Sequence, residues 1–176
     1  MGLNFEVEMT ELYIGTKLIN AEPMNRAQYN TFRGWELPAN ENGADEGYLV
    51  EYLDGGKPNT TTHAGYVSWS PKEQFDNAYR KTLGMSFGLA VEAMKKGKKV
   101  ARAGWNGKGM WLVLVKPPQS ATPVDVKYDV NETDQYLPLD SKLLPFVGMK
   151  TADNCFVPWL ASQTDILADD WCIAAN

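Results

Sequence analysis

Between residues 86 and 99 the chain reads SFGLAVEAMKKGKK, and Phe87, Ala90, Val91 and Met94 recur at the spacing of one helix face. That period predicts an amphipathic helix. Ser86 stands at the N-cap, Gly97 at the C-terminal stop, and the closing lysines suit the negative end of the helix dipole. The pattern then shortens. KVARAGW and GMWLVLVKP read as strands joined by NGKG, where Asn-Gly supplies the positive φ values of a tight hairpin turn. Residues 117–140, with Pro117, Pro118, Pro123 and Pro138 among several acids, read as a long polar loop. LLPFVGMKTADNCFVPWL predicts a second hairpin turning at Ala-Asp-Asn, SQTDILADD a short helix capped by Ser162, and WCIAA a last strand. The tail holds Trp159, Leu160, Ile166, Leu167, Trp171 and Ile173, too much apolar surface to leave in water at a fraying terminus. It is expected to be packed.

The first 82 residues are less regular. ELYIGTKLINAEPM, EGYLVEYLD and GYVSWS read as strands, and NRAQYNTFRG as a short helix. SPKEQFDNAYRK reads as a helix with Ser70 at the N-cap and Pro71 at the first helical position. The fold class expected is α+β: a small antiparallel sheet with flanking helices over 83–176, preceded by a second small α+β module over 1–82. No internal repeat relates the halves.

Composition changes this picture little. The chain has 176 residues, 44% hydrophobic and 22% charged, an ordinary globular balance with room for one domain or two small ones. No run approaches the roughly 18 apolar residues that span a bilayer, and the acidic start is unlike a signal peptide, so no membrane partner is expected and a cytoplasmic location is. Cys155 and Cys172 are expected as buried free thiols.

Charge is more informative. The net charge of −5 resides in residues 1–82, with 12 acids against 7 bases, while 83–176 carry ten of each. Lys95, Lys96, Lys98, Lys99, Arg102, Lys108 and Lys116 face a single acid, Glu92, between residues 92 and 116. An acidic protein is poorly suited to a nucleic-acid polymer, which needs many phosphates neutralised. A small anionic ligand needs only one basic pocket.

The usual catalytic apparatus is missing. His63, the single histidine, lies in the polar run NTTTHAG, so the second module has no histidine base, triad or multi-histidine metal site. There is no CxxC pair for zinc and no phosphate loop ending in Lys-Ser/Thr; no metal or cofactor is expected. Asp169-Asp170 and the acids of 125–140 read as solvated surface. Binding chemistry is better represented. Trp105, Trp111, Trp159 and Trp171 are four tryptophans beside Arg102, Asn106, Lys108, Lys150, Gln163 and Asp165. An indole stacks on a nucleobase for about 1–3 kcal/mol, while cations hold phosphates and amides or carboxylates read base edges and ribose hydroxyls. Trp111 inside MWLVLV and Trp171 inside DWCIA have the pattern of core residues, whereas Trp105 and Trp159 sit at strand ends, where sites form.

The stretches SFGLAVEAMKKGKKVARAGWNGKGMWLVLV and PFVGMKTADNCFVPWLASQTDILADDW resemble the Thoeris anti-defence 2-like family of small phage and prophage proteins. The resemblance covers residues 85–174 and is carried by Ala-Arg-x-Gly-Trp-Asn-Gly-Lys-Gly-Met at 101–110 and Val-Pro-Trp-x-x-Ser-Gln-x-Asp-x-Leu-Ala-x-Asp-Trp at 157–171. It implies a non-enzymatic sponge that binds a glycocyclic ADP-ribose signal, or for some relatives cyclic dinucleotides, in the host bacterial cytoplasm and holds it unchanged. It also implies a homo-oligomer, tetramer or dimer, with pockets between protomers. On this chain the matching pocket positions are Arg102, Trp105, Asn106, Lys108, Trp159, Gln163 and Asp165. The alternatives are an enzyme hydrolysing such a nucleotide, with Asp165 or Asp169 as acid or base, and a phage structural or adaptor protein whose tryptophans are only core. Residues 1–82 stand outside the resemblance, since typical members are about half this length.

Overall fold

The computed structural model describes residues 12–105, 109–116 and 144–175. The chain divides into two compact units, Met1–Tyr79 and Arg80–Asn176.

The first unit is a three-stranded antiparallel sheet, order β1-β2-β3, built from β1 (Ile19–Pro23), β2 (Gly47–Tyr52) and β3 (Tyr66–Pro71). Helix α1 (Arg26–Arg33) opens with a capping box in which Asn25 and Gln28 satisfy each other's backbone amides, and it closes on Gly34 at φ 68°. Its Tyr29 packs with Leu49 and Val67 as one small core. Alternation sends Tyr48 and Val50 to the opposite sheet face, where Tyr48 stacks on Phe75 of helix α2 (Lys72–Ala78) at 4.0 Å. Two expectations are corrected. The first strand is confined to Ile19–Pro23, and Leu12, Tyr13 and Ile14 ahead of it are exposed. Ser70 and Pro71 belong to β3 rather than to a helix start, because their backbone pairs with Tyr48 and Gly47. The helix begins one residue later, with Lys72 N donating to Glu46 O and no side chain capping it.

The second unit is a six-stranded antiparallel sheet, order β4-β9-β5-β6-β7-β8. Its strands are β4 (Leu83–Met85), β5 (Val100–Arg102), β6 (Trp111–Val115), β7 (Phe146–Lys150), β8 (Phe156–Pro158) and β9 (Trp171–Ile173), with helices α3 (Phe87–Lys95) and α4 (Gln163–Ile166). The α+β class is as the sequence predicts. The tail does not fray because β9 is inserted between β4 and β5, where Trp171 pairs with both Met85 and Arg102. Helix α3 buries Ala90, Ala93 and Met94, the two small alanines letting it lie close to the sheet and Met94 filling the space beside Val100, Leu112 and Trp171. Ser86 occupies the N-cap position, but its side chain makes no cap hydrogen bond.

The hairpin joining β7 and β8 turns at Ala-Asp-Asn as expected, with Asn154 at φ 67°. Strands β5 and β6 pair as expected, while most of their turn and all of the expected polar loop 117–140 lie outside the described residues. Strand β4 was not expected; only its pairing with β9 makes three residues a strand. Two further corrections concern single side chains. Cys155, expected to be buried, is exposed at the hairpin turn, because the polar Thr151–Asp153 turn and not the strand holds it; both cysteines are free. Trp111, expected in the core, is half-buried on the sheet face opposite α3, because the buried Leu112 takes the inward register. There its ring lies under Lys99 Nζ at 4.8 Å.

Candidate functional site

The site of the second unit is built around Trp171. Its indole has no solvent exposure and meets Phe87 at 5.4 Å, Trp105 at 5.5 Å and Trp159 at 6.1 Å between ring centroids. Trp105 and Trp159 also meet each other, at 6.3 Å and 64°. All three tryptophan pairs are edge-to-face, the arrangement the ring quadrupole favours. Only Trp171 is wholly buried; Trp105 and Trp159 are half-buried, each at the end of a chain segment leaving the sheet. Trp105 follows β5 in a turn closed by its own N–H donating to Arg102 O at 3.2 Å, and Trp159 follows β8 with its N–H on Val147 O at 2.8 Å.

An ionic cluster flanks the rings. Arg102 donates from Nε to Asp170 Oδ1 at 2.8 Å and from Nη1 to Asp165 Oδ1 at 2.9 Å. Asp165 is also the third residue of α4, where it forms a capping box with Ser162, and its carbonyl accepts the Trp171 indole N–H at 3.0 Å. Burial pushes the Asp165 carboxyl up, but bonds from Ser162 and Arg102 outweigh it and hold the group below its ordinary value. The Arg102 guanidinium holds Asp170 low as well, helped by the Gly104 amide and opposed by burial. The same two carboxylates, Asp170 before Asp165, raise Arg102.

Of the sequence-predicted residues, Arg102, Trp105, Trp159 and Asp165 therefore come together. Gln163 is exposed on the first turn of α4, two residues from Asp165. Asn106 and Lys108 lie outside the described residues. Sequence reasoning passed over Asp170, grouping it with Asp169 as solvated surface. The signal that separates them is register: Asp170 directly precedes Trp171, whose strand partner is Arg102, so its side chain starts level with the arginine. Lys150, also singled out, faces away from the rings beside Trp111 on the other sheet face and donates to Gly109 O and Thr151 O at 3.3 Å each.

Elsewhere, a cavity of about 430 Å³ opens in the first unit at the start of α1, lined by Asn25, Gln28, Glu46, Tyr48 and Lys72 among others. Several of the polar groups in and around it are already bonded. Asn25 and Gln28 cap each other, Arg26 N and Ala27 N donate to Asp45 O and Gly43 O, and Lys72 pairs with Asp76 at 2.7 Å. His63 is engaged through Nδ1 by Thr60 and Thr62, with its ring edge-on to Phe32 at 5.6 Å. Among the described residues no three His, Cys, Asp or Glu side chains converge as a metal site, and no helix is long and apolar enough to cross a membrane.

The sequence model of the Thoeris anti-defense 2-like domain matches residues 85–174, running from the end of β4 through β9. Thoeris anti-defense 2 of Bacillus phage SP01 is 40% identical over 93 residues, which are 52% of this chain and 96% of that protein. A small antiparallel α+β unit with this aromatic site thus falls in the class of phage anti-defence proteins. The chain belongs to the Thoeris anti-defense 2-like family, through its second unit.

Proposed function

We propose that the protein is a sponge: it binds a cyclic nucleotide immune signal of the glycocyclic ADP-ribose type and holds it without cutting it. The observation that carries this reading is the pair of half-buried indoles, Trp105 and Trp159, held edge-to-face on a buried third beside a fixed guanidinium. Those rings offer π-faces to a purine, and Arg102, Asn106, Lys108, Gln163 and Asp165 complete the pocket. Lys108 supplies a cationic side chain for a phosphate, and Gln163 and Asp165 suit base-edge or ribose donors. A sponge must outcompete a receptor, and nanomolar affinity is about −12 kcal/mol. One or two stacked indoles supply roughly 2–6 kcal/mol. A few charge-assisted bonds add about 1.5–3 kcal/mol each. The sum suffices only in a preformed site, since association and side-chain ordering subtract several kcal/mol.

The acids favour holding over cutting. A general acid or base works best with a pKa near the working pH, whereas Asp165 and Asp170 are both held below their ordinary range by partners they already bond. The protein acts as a homo-oligomer, tetramer or dimer, in the host bacterial cytoplasm, and cyclic dinucleotides are a second ligand class to assay.

The test is direct. Protein is incubated with glycocyclic ADP-ribose, freed of unbound ligand and heat-denatured, and the supernatant is analysed by mass spectrometry. Intact ligand is expected; a hydrolysed product would establish an enzyme instead. Trp105→Ala should lose retention, and unchanged retention in that variant would refute the site assignment.

A further inference from the structure

Asp170 stands one residue ahead of β9, and three of its hydrogen bonds run to Arg102 and the turn that carries Trp105. Its Oδ1 takes Arg102 Nε at 2.8 Å, its Oδ2 takes Gly104 N at 3.2 Å, and its carbonyl takes Ala103 N at 3.1 Å. Arg102 passes the connection on. Its Nη1 reaches Asp165 Oδ1 at 2.9 Å and Thr164 O at 3.3 Å, both on α4, the helix that follows Trp159 by four residues. One carboxylate–guanidinium–carboxylate chain therefore ties the turn bearing one half-buried indole to the segment following the other.

We infer that Asp170 is the positioning residue of the binding site: acting through Arg102 and the Gly104 amide, it fixes Trp105 at its angle to Trp159 so that the ligand meets a preformed cleft. The inference rests on the sponge reading above. A turn of four residues with no such tie would have to be ordered at each binding event, and that cost is subtracted from affinity. The chain also sets the polarity of the site. One guanidinium against two carboxylates leaves it a formal charge of −1, with Arg102 Nε and Nη1 both engaged, so this end repels phosphate and accepts hydroxyl or amine donors. The nucleoside end of the ligand lies here, and its phosphates lie away from Asp170.

The experiment compares Asp170→Ala, Asp170→Asn and, as a neighbouring control, Asp169→Asn, by two readouts. The first is the near-ultraviolet circular dichroism of ligand-free protein, where indoles 5.5–6.3 Å apart couple and report their mutual angle. The second is equilibrium dialysis against glycocyclic ADP-ribose. Asp170→Ala should alter the coupled signal and weaken retention about 100-fold, and Asp170→Asn, which preserves one of two acceptors, about tenfold. Asp169→Asn should change neither. If Asp170→Ala does not fold, the isosteric Asn variant decides. A variant with the wild-type spectrum and wild-type retention overturns the positioning role while leaving the sponge intact. If wild-type protein takes up no probe, the sponge reading falls, and the inference falls with it.

Discussion

Replacing Trp171 by Ala tests whether one indole carries both the core and the site. The ring is wholly buried, and truncating such a tryptophan costs about 3–5 kcal/mol. The upper end applies here, for two reasons. The three indole contacts at 5.4–6.1 Å with Phe87, Trp105 and Trp159 carry about 0.5–1.5 kcal/mol each beyond area burial. Loss of the indole N–H also removes the shorter bond of the Asp165 carbonyl, which keeps Ala168 N at 3.4 Å, at about 0.5–1.5 kcal/mol for an ordinary hydrogen bond. These contributions overlap, so about 5 kcal/mol is expected rather than their sum. A unit of roughly 100 residues is stable by about 5–15 kcal/mol, so the loss is a third of the total or more. Hydrogen exchange of peptides from β5 and β6, which hold the buried Val100 and Leu112, reads the second unit alone. Leu160→Ala, at a site 91% exposed, should stay within about 0.5 kcal/mol. If Trp171→Ala lowers the protection of β5 and β6 by less than about tenfold, roughly 1.4 kcal/mol, the indole is not the central packing residue and the reasoning fails.

Two further predictions follow from local chemistry. Asp165 and Asp170 have lowered folded pKa values, so the stability they contribute is present above the ordinary carboxylate pKa and is lost as pH falls through the folded values; Arg102→Met, removing their shared partner, should move the acid unfolding midpoint of the second unit to higher pH in a circular-dichroism titration. Asn25→Ala removes the acceptor of the α1 capping box and should cost the first unit about 1 kcal/mol in urea unfolding, with Asn25→Asp nearly neutral; equal losses in both variants would refute the capping role.

The parts of the fold that could be read from sequence are those set by local rules. The α3 period, the Ala-Asp-Asn turn and the Ser162 cap each depend on a few neighbouring residues, and the structure has all three positions where the pattern puts them. What sequence could not supply is register over long separations. Three residues at Leu83–Met85 become a strand only because β9 arrives from almost 90 positions away. Trp111 and Leu112 are adjacent apolar residues, and which one faces α3 is decided by pairing across β5, β6 and β7. The site shows the same division. Trp105 and Trp159 were legible as strand-end indoles, but the ion pairs of Arg102 with Asp165 and Asp170 depend on the strand pair Arg102–Trp171, which no local pattern shows.

That distinction bears on how copies of the chain can assemble. A free sheet edge invites edge-to-edge pairing, and among the described residues the sheet of the second unit ends in β4 and β8. In β8 the Trp159 amide bonds inward to Val147, and Thr151 N bonds inward to Cys155 O; by alternation Phe156 and Pro158 present their backbone outward. Pro158 has no N–H to give, so an incoming strand finds one donor where it needs two. At the other edge the register of β4 against β9 shifts between Leu83 and Met85, which breaks the ladder a partner would extend. What remains is the sheet face opposite α3, where Phe156 lies against Gly148 so closely that a side chain there would meet its ring at 2.2 Å, and where Trp111 sits beneath Lys99. Through the described part of the second unit, the proposed oligomer is therefore expected to use side chains on faces and helices rather than a shared ladder at β4 or β8.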